Sequence, residues 1–211
     1  MPEPVNHSLI HVVDDDAAFR RSLVFLLESV GWSVRAHASA GDFLVACPAT
    51  PPDFGCLLLD IRMPGMNGLE LQQTLQARGW TPAVVFMTGH GDVELAVQAM
   101  KQGAFDFLEK PFRDQALLDA VAAAVRHGSR EREATQRRDE AQTLLDRLTA
   151  REREVARLVA SGLPNKLVAR DLAISEKTVH VHRQHVMEKV EVGSAAELAR
   201  LMLRVDPHAL D

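Results

Sequence analysis

The chain has 211 residues, 46% apolar and 25% charged, with a net charge of −5. That balance suits a globular protein large enough for one sizeable domain or two small ones, and it excludes disordered and fibrous classes. Cys47 and Cys56 are too few for a disulfide framework and predict a reducing compartment. The start MPEPVNHS carries no leader pattern, and no apolar run approaches the ~18 residues of a membrane helix, so a cytoplasmic protein without a membrane partner is expected.

In chain order, Leu9–Val13, Val34–His37, Cys56–Leu59, Ala83–Thr88 and Phe105–Glu109 are short runs rich in Val, Ile, Leu and Phe. They predict strands buried on both faces of a parallel sheet. Between them, Asp16–Val30, Ser39–Ala46, Asn67–Arg78, Asp92–Gln102 and Arg113–His127 have helical spacing, several opening on Asp, Ser or Asn that can cap free N–H groups. Five strands alternating with five helices predict a doubly wound α/β domain over residues 1–127, a five-stranded parallel sheet with its functional groups at the carboxyl ends of the strands.

Residues 128–147 are charged and free of proline, and predict a solvated linker helix continuing the one before. Ala134, Ala141, Leu145 and Leu148 make a stripe too thin to demand a coiled coil. Residues 148–211 predict an all-α unit of four short helices. Thr149 caps the first, with Glu152 completing a capping box, and Gly162-Leu163-Pro164-Asn165 stops it. Lys166–Leu172, Ser175–Val190 and Ala195–Arg204 follow. Charge divides the same way: 9 Lys/Arg against 15 Asp/Glu in residues 1–127, but 10 against 7 in residues 148–204. An acidic front and a mildly basic back predict two modules facing different partners.

The run GCLLLDIRMPGMNGLEL drives three leucines into Asp60. An aspartate there could be a turn former bonding its own backbone. Its neighbours decide otherwise: Asp14 and Asp15 end the first strand, Thr88 ends the fourth, and Lys110 follows the fifth. Side by side, these strands bring all five groups to one sheet edge. Carboxylates so close repel, and Mg²⁺ (or Mn²⁺) removes that cost by taking oxygen ligands. The expected donors are Asp14, Asp15, Asp60 and the backbone carbonyl of Arg62, aimed by the sharp loop Met63–Gly68. Asp60 is then a carboxylate nucleophile toward a phosphoryl group, with Lys110 and Thr88 serving its oxygens. Asp16 is expected to cap a helix.

VVDDD, LLLDIRMPGMNG, FMTGHGD and DFLEKPF resemble the four signature segments of bacterial response-regulator receiver domains, in order and spacing, and the run Thr88-Gly89-His90-Gly91-Asp92 resembles the FixJ branch in particular. The resemblance implies Asp60 as phosphoacceptor, Asp14 and Asp15 as the acidic pair, Thr88 and Phe107 as switch residues, and a cis Lys110-Pro111 bond. Phe107 lacks the hydroxyl that a Tyr at that position carries.

In SEKTVHVHRQHVMEKV, Val179, Val186, Met187 and Val190 share a core face while Lys177, His180, Val181, Gln184 and Glu188 point away. Val181 suits a thymine methyl, Gln184 an adenine edge, and basic residues the phosphates. The segment LTAREREVARLVASGLPNKLVARDLAISEKTVHVHRQHVMEKV resembles the LuxR-type helix-turn-helix of the FixJ/NarL family. The expected DNA contacts are Lys177, Thr178, His180, Val181, Arg183, Gln184 and Lys189. His180, His182 and His185 lack metal-site spacing.

Together these predict a phosphorylation-dependent transcriptional regulator and not an enzyme. Its expected partners are a sensor histidine kinase, double-stranded DNA, RNA polymerase, and a second copy of itself through the surface of Asp92–Gln102 and Phe105–Glu109. A phospho-switched protein-binding adaptor and a Mg²⁺-dependent phosphohydrolase using Asp60 are the alternatives.

Overall fold

A computed structural model describes residues 8–47, 54–89 and 93–210. The chain divides into two compact units, Met1–Glu131 and Arg132–Asp211.

In the first unit, β1 (Leu9–Val13), β2 (Ser33–His37), β3 (Phe54–Asp60), β4 (Val84–Thr88) and β5 (Asp106–Glu109) form a sheet of order β2-β1-β3-β4-β5, every pair parallel. Helices α1 (Ala17–Ser29), α2 (Ala40–Ala46), α3 (Gly68–Ala77) and α4 (Val93–Lys101) connect them, and α5 begins at Asp114. Residues 90–92, where the fourth helix was expected to start, lie outside the described residues. The strand order reverses beside β1 and β3, so a crevice opens at their carboxyl ends.

Leucines on alternate sides of β3 explain the two cores. Leu57 and Leu59 pack with Phe43, Leu71, Leu75 and Phe86, while Leu58 packs on the other face with Leu23, Leu27, Leu117 and Val121. Each such side chain contributes roughly 1.5–3 kcal/mol by leaving water. Burial on both faces holds for the central strands only. In β2, Ser33, Arg35 and Ala36 are exposed, and in β5, Phe107 and Glu109 are. These are the sheet's edges, where each strand has one neighbour and helices cover it incompletely.

The local signals act where expected. Asp16 caps α1 through the amides of Ala18 and Phe19, Ser39 caps α2, and Asn67 with Glu70 forms a capping box on α3. Lys110-Pro111 is cis. One feature has no local signal: His11 and His37, on adjacent strands, stack with centroids 5.1 Å apart and share a 2.9 Å hydrogen bond, both edge-on to Phe43. Burial, the neighbouring imidazole and Arg35 lower the His11 pKa to about 4, and burial lowers that of His37.

Helix α5 does not stop at His127 but runs unbroken from Asp114 to Asp146. Its end belongs to the second unit: Ala141 is 1% exposed, and Leu144 and Leu145 pack with Leu148 against the second core. The expected linker over 128–147 is therefore part core at its end. Helices α6 (Ala150–Ala160), α7 (Asn165–Asp171), α8 (Glu176–Lys189) and α9 (Ala195–Val205) complete that unit around Val155, Val159, Val168, Val179, Val186 and Leu198. Among the described residues, two non-glycine residues adopt left-handed backbone, Ala173 (φ 53°) after α7 and Glu191 (φ 59°) after α8. For L-residues that costs roughly 1–2 kcal/mol each.

Gly68, the first residue of α3, lies against the end of β3. An added Cβ would stand 2.4 Å from the Asp60 carbonyl oxygen and 3.1 Å from Ile61 Cα, both backbone atoms with little room to yield. Gly68→Ala is expected to destabilise the first unit by roughly 1–3 kcal/mol, read as a lower urea midpoint.

Candidate functional site

The parallel register delivers the chemistry to one edge. Asp14 follows β1, Asp60 is the last residue of β3, Thr88 the last of β4, and Lys110 follows β5. Asp14, Asp60 and Thr88 are buried, at 0%, 6% and 3% exposure. Lys110 Nζ donates to Asp14 Oδ2 at 2.7 Å and to Asp60 Oδ1 at 2.6 Å. Burial works to lower the lysine pKa, but hydrogen bonds to the two carboxylates outweigh it and the ammonium is held above its ordinary value. Burial likewise raises Asp60, against the pull of Lys110 and with a push from Asp14 and Asp15.

Three supports went unread in the sequence. The Phe19 ring lies 4.3 Å below the Lys110 ammonium, a cation–π contact. Arg20 donates to the Asp14 carbonyl, and the Asp16 amide donates to Asp14 Oδ1 at 2.9 Å. Phe19 and Arg20 sit five and six residues beyond Asp14, so helix phase alone could have pointed to them. Thr88 now donates its hydroxyl to the Gly89 carbonyl at 3.1 Å. Phe107 is 44% exposed.

The donor set suits a hard divalent cation in kind: buried Asp14 and Asp60, exposed Asp15, and the Arg62 backbone. Asp15 and Arg62 line one open hollow of about 640 Å³ with Met63, Pro64 and Asn67. The expected convergence of three carboxylates is looser than the sequence implied. Among the described residues no three His, Cys, Asp or Glu side chains close on one point. Lys110 instead neutralises the Asp14–Asp60 pair directly, while Asp15 faces out. Asp16 is a cap, as read.

In the second unit, Ser175 caps α8, its hydroxyl accepting from the Thr178 amide at 3.0 Å. Val179, Val186 and Val190 are buried, and Lys177, Thr178, His180, Val181 and Gln184 are exposed on the outward face. Arg183 is half-buried and reaches Asn165 at the start of α7. Lys189 differs from expectation. Its ammonium grips both oxygens of Glu152 at 2.7 and 2.8 Å, and Glu152 is 4% exposed. That ion pair joins the end of α8 to the start of α6, so the half-exposed Lys189 ammonium is paired with a buried carboxylate and is less available than the other outward groups. His182 is half-buried on the flank of α8, its Nδ1 enclosed among the described residues without a hydrogen-bond partner.

The family profile described as response regulator receiver domain matches residues 10–122, and that described as bacterial regulatory proteins, luxR family, matches residues 146–202. The transcriptional regulatory protein FixJ of Azorhizobium caulinodans is 49% identical over 203 residues, covering 96% of this chain and 94% of that protein. Among solved structures, response regulator StyR superposes with a TM-score of 0.79 at 44% identity, covering 93% of this chain and 98% of StyR. Full-length FixJ from B. japonicum gives 0.59 at 43% identity, with 94% and 97% covered.

The Glu152 carboxylate carries a pH dependence of its own. Lys189 and the Thr149 bonds hold its pKa at about 2, down from 4.5, against the opposing push of burial. A depressed carboxyl pKa contributes stability that is complete above 4.5 and disappears as pH falls through about 2. Acid titration of the second unit, followed by helical circular dichroism, is expected to lose stability across that window, and Glu152→Gln to flatten the loss.

Proposed function

The chain belongs to the response regulators that join a receiver domain to a LuxR-type DNA-binding domain, phosphorylation-dependent regulators of transcription, and from that premise we propose that Asp60 is its phosphoacceptor. Such an architecture implies a sensor kinase and DNA as partners, and receiver domains generally bind Mg²⁺ for phosphorylation. One observation carries the assignment: Asp60 is the strand-end carboxylate gripped by the same ammonium that grips Asp14.

In the proposed transfer, Asp60 Oδ attacks the phosphorus of a phosphohistidine on the kinase. The P–N bond breaks, its electron pair stays on the departing imidazole nitrogen, which takes a proton from water, and an acyl phosphate forms on Asp60. Lys110 supplies positive charge to the phosphoryl oxygens, and the Thr88 hydroxyl turns from Gly89 to donate to one of them. Asp14, Asp15, Asp60 and the Arg62 carbonyl would hold Mg²⁺ or Mn²⁺, which supplies further positive charge to those oxygens. Phe107 follows Thr88 as the second switch residue.

Val97, Met100 and Phe107 are 48%, 40% and 44% exposed. Three large apolar groups on α4 and β5 support a homodimer contact formed on phosphorylation. We assign DNA contact to Lys177, Thr178, His180, Val181, Arg183 and Gln184, with Val181 and Gln184 at base edges and the basic groups on phosphates. The bound dimer would then recruit RNA polymerase in the cytoplasm. No described helix is long and apolar enough to cross a membrane.

With a small phosphodonor and Mg²⁺, the wild-type chain is expected to take label and Asp60→Asn to take none. Base-labile label persisting on Asp60→Asn would falsify the assignment. Val181→Ala with Gln184→Ala is expected to cost roughly 1–3 kcal/mol per lost base contact, measured by DNA titration at fixed salt.

A further inference from the structure

The carboxyl end of α8 is fastened by a backbone turn, two ion pairs and apolar contact. Val192 donates to the Met187 carbonyl and Glu191 to that of Glu188, a closed C-terminal turn that puts Glu191 in the left-handed region. Glycine takes that conformation without strain. Glu191 instead brings a carboxylate, which receives Arg147 Nη1 at 2.5 Å, and the same Nη1 reaches the Lys189 carbonyl at 3.3 Å.

Arg147 is the residue immediately after α5. One turn on, Glu152 holds Lys189, while its Oε2 accepts from the Thr149 amide at 2.8 Å. Ala141 and Leu148 lie in one core with Val186 and Val190 of α8. The joint between α5 and α6 and the last turn of the recognition helix are thus clamped by charge outside and by apolar contact inside. The Arg147 and Glu191 side chains are 48% and 65% exposed, where ion pairs add little stability. It does not offset the strain at Glu191. What it supplies is position.

We propose that Arg147 and Glu191 form a latch that makes the setting of the recognition helix depend on the end of α5, the helix that begins in the phosphoacceptor unit. Both are positioning residues, and neither belongs to the DNA contacts assigned above. The guanidinium also sits where a cation is favoured, at the carbonyl end of α8. An altered direction or rotation at the end of α5 moves Arg147, and with it the last turn of α8. The inference rests on the reading of the chain as a phosphorylation-controlled DNA binder.

The test uses the full chain and the ratio of DNA affinities with and without phosphate at Asp60. Arg147→Ala and Glu191→Gly are expected to take phosphate as the wild type does, and to shrink that ratio at least about fivefold. Glu191→Gly is expected to melt within about 3 °C of the wild type, because relief of the left-handed strain offsets loss of the exposed pair. Variants that keep the full wild-type ratio overturn the latch. A wild-type chain with no phosphate dependence would overturn the regulatory reading beneath it.

Discussion

The Lys110 ammonium lies between two buried carboxylates that would otherwise face each other in a poorly screened interior, and much of the first unit serves that contact. Two like charges about 4 Å apart repel by about 4 kcal/mol at the effective dielectric of a protein surface. Removing the lysine would leave Asp14 and Asp60 uncompensated, and removing either carboxylate would leave the ammonium short of a partner. Three parallel strands must therefore end in register, and the helix that opens after Asp14 must present Phe19 beneath the cation. The close approach of Gly68 to the Asp60 carbonyl follows from the same demand, since α3 has to begin directly over the end of β3.

A contact of this kind is also a sensible place to read a phosphoryl group. The ammonium is shared between two oxygens and can be redistributed among new ones without leaving the pocket. On the proposed reading, a change of charge on Asp60 would be felt at Asp14 and Thr88 together, close to the exposed apolar side chains of α4 and β5.

Much of this was legible in the chain because it is written in short-range signals. Strand-end Asp60, the caps Asp16 and Thr149 and the core valines of the recognition helix all declare themselves within a few residues. The missing parts depend on partners far apart in sequence. Lys189 looked like a free cation on a basic helix until Glu152, thirty-seven positions earlier, was found against it. Arg147 looked like linker charge, and the burial of Ala141 could not be told from a thin stripe of small residues. Strand exposure was misjudged at β2 and β5 because apolar content does not reveal which strands lie at the edge. Lys110 was read only as a partner for the phosphoryl group, and its direct grip on Asp14 and Asp60 has no signal within either strand.

The stacked imidazoles of His11 and His37 carry one more consequence. Both are held neutral by the fold, His11 down to about 4 from 6.5. Between those two pH values the unfolded chain binds protons that the folded chain refuses, so acid draws the equilibrium toward unfolding. His37 is joined through its carbonyl to the Asp14 amide. Acid stress would therefore reach the first unit as a weakening of the scaffold beneath Asp14.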